Sequence, residues 1–211
     1  MLLSAMASST PTQHHVRTRM TPLGPAPGCR TVQPSVGDSV LYRYSGSYTD
    51  LPVELEEQVV AQRGLQLEID VHARRGEERR HWVQIVTDTP YNRERNIVDA
   101  LYLVRDGERH RLSNEHNRDL LRCYEWTYLE PDGSPAGVVE DQMELRFAGR
   151  RYVCRRSTGR LSWHGHPIRF VYHRCPEFPW YHGPGWWEDM ESGEIVWQVG
   201  VVEVRHVSAP A

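Results

Sequence analysis

Two runs of alternating apolar and charged residues constrain the fold of this chain more than any other feature. In residues 53–61 and 65–73, apolar side chains share the odd positions, and most even positions are polar. Successive side chains of a β-strand point to opposite faces, so the pattern predicts two strands with one buried face each. Gln62, Arg63 and Gly64 lie between the runs and supply a glycine for positive φ, which predicts an antiparallel hairpin.

Similar strand-like runs continue along most of the chain. A first strand is predicted at about 40–46, and a strand at about 79–87 carries apolar groups on both faces. Asp106-Gly107 is typical of a tight hairpin turn and joins the runs on either side of it. Residues 114–124 form the only fair helix candidate, with asparagine available as the N-cap.

The last third of the chain resumes the strand pattern. Separate strands are predicted at 151–156, 160–164 and 168–174, followed by a loop rich in proline and tryptophan and a long closing strand after Gly193. The polar segments 88–97 and 130–137 are predicted to be loops, because they combine turn-forming residues with little periodicity.

These segments predict a mainly β protein with a single domain over residues 35–207. About ten mostly antiparallel strands form a curved sheet, a barrel or a sandwich, with at most one or two short helices. Residues 1–34 have no sustained period and are expected to be a flexible leader, and residues 208–211 a short tail. The outline resembles that of many bacterial β-rich proteins, but no motif carries a function with it.

Composition excludes several classes of function. The net charge of −3 does not favour a nucleic-acid partner, since such binding needs a basic surface. The sequence contains no lysine, which removes Schiff-base chemistry. No apolar run is long enough for a transmembrane helix, and the amino terminus is not a convincing signal peptide. A soluble protein in the cytoplasm is therefore the favoured expectation.

The four cysteines show no metal-binding spacing. Cys29, Cys123, Cys154 and Cys175 are far apart in the sequence. If the strands at 151–156 and 168–174 are separated by a third strand, Cys154 and Cys175 lie about 10 Å apart, too far for a disulfide. The sequence therefore predicts that these two are not bonded, and Cys123 can reach either one.

The stretch from residue 160 to 187 concentrates the most unusual chemistry. Large aromatic side chains in a loop rich in proline and glycine either close the end of a β core or line a ligand or partner surface. The core role is favoured, and the ligand role is the leading functional hypothesis. The candidate ligand-binding residues are Trp163, Phe178, Trp180, Tyr181, Trp186 and Trp187.

The same stretch contains a possible metal site. His164 and His166 form one pair at spacing i, i+2, and His173 and Cys175 form another, so each pair can point to one face of a strand. A zinc ion needs three or four such groups at one point, and the turn at Gly165 works against this. No cofactor is expected, and zinc at these four residues stays as the alternative.

Paired carboxylates are a weaker signal. Glu56 and Glu57 lie in a predicted strand and are expected to be solvated. Glu188 and Asp189 follow two tryptophans, so an apolar wall could raise one pKa and make a general acid. A charged loop beside a hydrophobic anchor is the preferred interpretation.

The sequence favours a binding protein without enzymatic activity. It would hold an apolar or aromatic ligand, or a protein partner, through the aromatic segment 163–187. The first alternative is a small hydrolase-like or zinc-dependent enzyme that uses histidine, cysteine and acidic groups of that segment. The second alternative is a structural subunit that pairs an exposed strand edge with a larger assembly.

Overall fold

The computed structural model describes residues 33–113, 118–147, 149–176, 178, 180 and 182–205. Two short helices and eleven strands follow one another along the chain. They are β1 (Ser39–Ser45), β2 (Val53–Arg63), β3 (Gln66–Arg75), β4 (Glu78–Thr87), α1 (Pro90–Arg95), β5 (Ala100–Arg105), β6 (Glu108–Arg111), α2 (Arg118–Cys123), β7 (Ala136–Phe147), β8 (Arg150–Trp163), β9 (His166–Arg174), β10 (His182–Asp189) and β11 (Ile195–Arg205).

All strands belong to one antiparallel sheet, in the order β6-β5-β4-β3-β2-β1-β11-β10-β9-β8-β7. The first six strands form one meander and the last five form another, and β1 joins them by pairing with β11. Strands β6 and β7 are the two edges of this order, so the sheet is open. Of the architectures that the sequence allows, the structure has the curved sheet.

The sheet has a buried inner face and a more polar outer face. In the β2–β3 hairpin, Leu55 lies opposite Ala73 and Val59 opposite Ile69, and all four are buried. This confirms the predicted alternation. The inner-face core extends from β5 to β7 in the order of the sheet, since buried residues of both meanders form one contiguous hydrophobic cluster. A flat sheet of this width cannot bring those strands together, so the sheet curves around its inner face.

The segment from α2 to residue 129 crosses one end of the inner face. Tyr124 packs edge-on against Trp82 of β4, with ring centroids 5.0 Å apart. Further along, the Thr127 carbonyl accepts a hydrogen bond of 2.9 Å from Trp197 Nε1 of β11. We call residues 118–129 the crossing segment. We call the concave space on the inner face of the curved sheet the trough. The crossing segment caps the end of the trough where β1 ends and β11 begins.

Several predicted boundaries are wrong, because local sequence does not show which strands are supported by neighbours. Residues 88–97 contain the helix α1, which Thr89 caps by accepting a hydrogen bond from the backbone N–H of Asn92. The two strands predicted at 151–156 and 160–164 are one strand, β8, paired with β9 along most of its length. The loop predicted after Arg174 contains β10, which pairs with β9 and β11.

Candidate functional site

The central part of the inner face is not fully covered. Tyr44 on β1, Tyr172 on β9, and Val199 and Val201 on β11 point to this face but are only half-buried. Each lies on a strand that is hydrogen-bonded on both sides. Partial exposure on strands that are paired on both sides means that packing over this part of the inner face is incomplete.

A carboxyl group lies on the same face. Glu57 faces the trough between Val40 of β1 and Val71 of β3. Tyr124 of the crossing segment donates a hydrogen bond of 2.9 Å to Glu57 Oε1. The side-chain amide of Gln84 in turn donates to the Tyr124 hydroxyl oxygen at 3.3 Å. These three polar groups form a short chain among apolar neighbours.

Burial determines the ionisation of Glu57. Loss of hydration raises the pKa of the carboxyl group to about 7, and the hydrogen bond from Tyr124 lowers it by a smaller amount. Near neutral pH the group therefore exists in both forms and can either donate or accept a hydrogen bond.

Tyrosine hydroxyls surround this carboxyl group and stay protonated. Burial, together with the nearby Glu57 charge, raises the pKa of Tyr42, Tyr44 and Tyr124 above the ordinary value. Burial also raises the pKa of Tyr172 to about 12. The inner face therefore offers neutral phenols, which can donate or accept hydrogen bonds, and at Glu57 a carboxyl group whose pKa is about 7.

The end of the trough opposite the crossing segment is also bridged. Tyr42 donates a hydrogen bond of 3.1 Å to the carbonyl of His182 at the start of β10. His182 Nε2 lies 3.2 Å from Asn96 Oδ1, which belongs to the C-cap of α1. These contacts join the two meanders across the sheet, so both ends of the trough have a wall.

Two buried indoles add unused hydrogen-bond donors. Trp82 Nε1 and Trp180 Nε1 find no acceptor in the part of the chain that the structure describes. Both side chains belong to the core that lines the inner face. A buried donor without a partner costs about 1–3 kcal/mol, so these N–H groups favour any ligand or water that brings an acceptor.

The structure disperses the aromatic residues that the sequence selects. Phe178 and Trp180 are buried in the inner-face core, and Trp187 is buried in a second cluster with Phe170 and Trp197. Trp163 and Trp186 are half-buried, and Tyr181 lies outside the described residues. Three of the six therefore have the core role that the sequence favours, and Trp186 and Trp187 lie in β10 rather than in a loop.

The four metal candidates in this stretch do not come together. His173 is buried, where its Nδ1 donates to the Pro184 carbonyl at 2.7 Å and its Nε2 lies 3.0 Å from Met143 Sδ. His166 lies beside Asp189, with Nδ1 3.3 Å from the carboxylate. Cys175 is bonded to another cysteine. Among the described residues, the four therefore do not converge on one point, and the thiol of Cys175 is taken up by the disulfide.

Cys154 and Cys175 form a disulfide, with Cα atoms 4.1 Å apart. The prediction that they are not bonded is wrong, because it assumed a third strand between them. Strand β8 runs unbroken beside β9, and the pairing of Arg155 with Arg174 brings the two cysteines to adjacent positions. Cys123 is buried and free.

The acidic pair at the end of β10 does not form a general acid. Glu188 makes an ion pair with Arg169 on the neighbouring strand. Asp189 accepts hydrogen bonds from the backbone N–H groups of Glu191 and Ser192. Those N–H groups lower the pKa of Asp189, which is the reverse of the change that general-acid chemistry needs.

The central carboxyl group was missed, although the sequence contains its signal. Glu57 occupies an odd position in a run whose other odd positions are apolar, so the hairpin alternation itself places it on the buried face. The expectation that Glu56 and Glu57 are both solvated is therefore wrong for Glu57.

Comparisons with known proteins give only distant structural similarity. No family model and no curated protein match the chain. A protein of Bacteroides fragilis with a YmcC-like fold is 8% identical, with a TM-score of 0.42 over 84% of this chain and 100% of that one. MucB in the MucA/MucB complex of Pseudomonas aeruginosa is 11% identical, with a TM-score of 0.42 over 83% of this chain and 53% of that one. The chain thus spans about half the length of that protein, and neither similarity assigns a family or a function.

The cytoplasmic location that the sequence favours is wrong. Disulfides persist in oxidising compartments, and the structure contains one between buried cysteines. Among the similar structures, the B. fragilis protein is described as exported. A protein from Parabacteroides distasonis is described as a lipoprotein. It is 8% identical, with a TM-score of 0.41 over 82% of this chain and 97% of that one. The disulfide is the observation on this chain that points to an extracytoplasmic compartment. Among the described residues no helix is long and apolar enough to cross a bilayer.

Proposed function

We propose that the protein is a non-enzymatic binding protein that holds an apolar ligand in the trough on the inner face of its sheet. The observation that carries this proposal is the row of half-buried side chains on fully paired central strands, Tyr44, Tyr172, Val199 and Val201. Apolar surface left open at the centre of a sheet loses the stabilisation of about 25 cal/mol per Å² that burial gives. A bound apolar molecule supplies the missing contacts.

The polar groups of the trough define the part of the ligand that they meet. Glu57 titrates near neutral pH, and the phenols around it are neutral. A carboxylate repels an anion, whereas a neutral carboxyl, a phenol and an indole N–H can all bond to an uncharged oxygen or nitrogen. The proposed ligand therefore has an apolar body and an uncharged hydrogen-bonding group.

The binding site thus moves from the aromatic segment 163–187 to the trough. Phe178 and Trp180 act as part of the trough's apolar wall rather than as an opening lid, because both are buried in the core. This wall connects to β10 through the hydrogen bond from Tyr42 to His182. The role of the segment in binding is then to shape one end of the site.

A substitution that places a large side chain in the trough tests this proposal. Substitution Val201→Trp adds an indole on the inner face, and Val202→Trp adds the same group on the next residue, which is 56% exposed. Binding of an uncharged naphthylamine dye is followed by its fluorescence, and folding is checked by thermal melting. We expect binding to weaken at least tenfold in Val201→Trp and to be unchanged in Val202→Trp.

Two outcomes would contradict the proposal. One is a wild-type protein that does not enhance the fluorescence of the dye at any concentration tested. The other is equal weakening in both variants, which places dye binding outside the trough. Native mass spectrometry of protein purified without detergent then identifies any ligand that is retained.

A protein partner is the second candidate, and the open edge of the sheet supports it. Strand β7 has 12 residues and, among the described strands, pairs with β8 alone; it exposes Val138 and Val139, the latter by 64%. An unpaired edge of this length can accept a strand from another chain. A second copy of this chain is the simplest such partner. Light scattering at several protein concentrations tests self-pairing in the wild type and in Val139→Lys. If both proteins are monomers at every concentration, self-pairing is excluded.

A further inference from the structure

A cluster of two histidines and one aspartate lies on the outer face of the sheet, away from the trough. His72 of β3 pairs directly with His81 of β4. Asp70 precedes His72 by two residues, so its side chain lies on the same face. The three residues are thus held by the backbone ladder of two neighbouring strands, which is more rigid than a loop.

The atoms of this cluster converge on one point. His81 Nε2 lies 2.6 Å from Asp70 Oδ1, and His72 Nε2 lies 3.0 Å from Asp70 Oδ2. The two imidazole rings are stacked, with centroids 4.0 Å apart and an interplanar angle of 22°. One atom from each residue lies within 4.8 Å of the other two.

We propose that Asp70, His72 and His81 form a binding site for a zinc-class divalent ion. Two atoms that share a tetrahedral zinc ion at about 2.0–2.2 Å lie roughly 3.3 Å apart. The two nitrogen–oxygen distances are already near that value, and only a small rotation of partly exposed side chains brings the nitrogens closer. Two imidazoles and a carboxylate suit zinc, copper or nickel better than calcium or magnesium.

The surroundings of the cluster also suit a cation. Glu56 of β2 lies directly opposite His72 and faces the same side, so its carboxylate can supply a fourth ligand atom or bind through a water molecule. Arg205 lies 4.0 Å from the Glu56 carboxylate and makes a shorter ion pair, of 2.7 Å, with Glu203. His72 is 54% exposed, so an ion can enter from solvent.

The basic groups nearby have partners of their own. Arg74, two residues beyond His72, makes an ion pair of 2.6 Å with Glu54. Arg109 makes one of 2.7 Å with Glu68, which lies two residues before Asp70. These pairs reduce the positive charge that an incoming cation meets.

Zinc titration of the metal-free, full-length protein tests the site. Isothermal titration calorimetry with Zn²⁺ is expected to show one ion bound with a Kd below about 100 μM, and weakening by at least tenfold in His72→Ala and in His81→Ala. Co²⁺ in the same site is expected to give visible absorption bands of a low-coordinate ion that the variants lose. Both histidines are partly exposed, so these variants are expected to fold.

Matched controls separate this site from other histidines. His14 and His15 in the amino-terminal segment, and His164 in the β8–β9 turn, are replaced by alanine in separate variants, and zinc affinity is expected to be unchanged. The proposal is overturned if the wild type does not bind zinc at millimolar concentration. It is also overturned if His72→Ala and His81→Ala bind zinc as tightly as the wild type.

Discussion

Glu57 and Asp70 lie on opposite faces of the same β2–β3 hairpin, and their surroundings give them opposite roles. Glu57 faces the trough, where burial raises the pKa of its carboxyl group to about 7 and Tyr124 donates to it. Asp70 faces outward, and its carboxylate lies within hydrogen-bond distance of the His72 and His81 imidazoles. The same functional group thus becomes a neutralisable acid on one face and a candidate metal ligand on the other, because the face selects its neighbours.

The largest difference between the inner and outer faces of the sheet is expected in stability, when a substitution removes apolar side-chain volume. Leu55 is 1% exposed on the inner face of β2, and Val60 is 38% exposed further along the same strand. We expect Leu55→Ala to lower the free energy of unfolding by about 3–4 kcal/mol, because it leaves a cavity in the core. Val60→Ala is expected to cost less than about 0.5 kcal/mol.

Urea unfolding at a fixed pH measures both values. Similar losses for Leu55→Ala and Val60→Ala would mean that β2 does not have one buried and one open face. In that case the trough and the outer cluster could not be assigned to opposite sides of the sheet.

The next largest effect on stability is expected from removing the buried disulfide between Cys154 and Cys175. The disulfide joins residues separated by 21 positions, so its loss relaxes a loop of moderate length in the unfolded chain. Replacing Cys154 and Cys175 by serine is expected to lower the free energy of unfolding by about 3 kcal/mol. The control Cys123→Ser leaves the bond intact and is expected to cost less.

Peptide mapping without reduction provides the direct check on this bond. A peptide that contains Cys154 linked to one that contains Cys175 is expected in protein secreted to an oxidising compartment. Free thiols at both positions in such protein would remove the structural argument for an extracytoplasmic location.

The smallest effect, and the one most specific to the inner face, is the dependence of stability on pH. The pKa of Glu57 in the folded protein, about 7, lies above its ordinary value of 4.5, so the folded state binds more protons than the unfolded state between these values. Stability therefore falls as pH rises from about 4.5 to about 7. The expected loss is about 2 kcal/mol, less than the full shift implies because Glu57 is only half-buried.

Thermal melting of Glu57→Gln from pH 4 to pH 8 tests this dependence. The amide does not titrate, so the variant is expected to lose this component of the slope and to be more stable than the wild type at pH 8. Glu56→Gln, on the outer face, removes the same charge and is the matched control. An equal change of slope in both variants would assign the effect to net charge rather than to burial.

The sequence determined the local parts of this structure. Alternation in β2 and β3, and the Asp106-Gly107 turn between β5 and β6, are set by side-chain period and backbone preference over a few residues. The same alternation places Glu57 inward and Asp70 outward, so the two faces could be read from the hairpin alone. The mainly β class follows from the sum of such segments.

Only the tertiary structure decided which segments meet. Ser157 and Thr158, which lie between the strands predicted at 151–156 and 160–164, continue a strand because β7 and β9 pair with them on both sides. That continuity brings Cys154 to Cys175, just as the direct pairing of β3 with β4 brings His72 to His81. Strand pairing depends on many weak backbone contacts between residues that are far apart in the sequence. A local pattern therefore predicts the strands but not which strands pair.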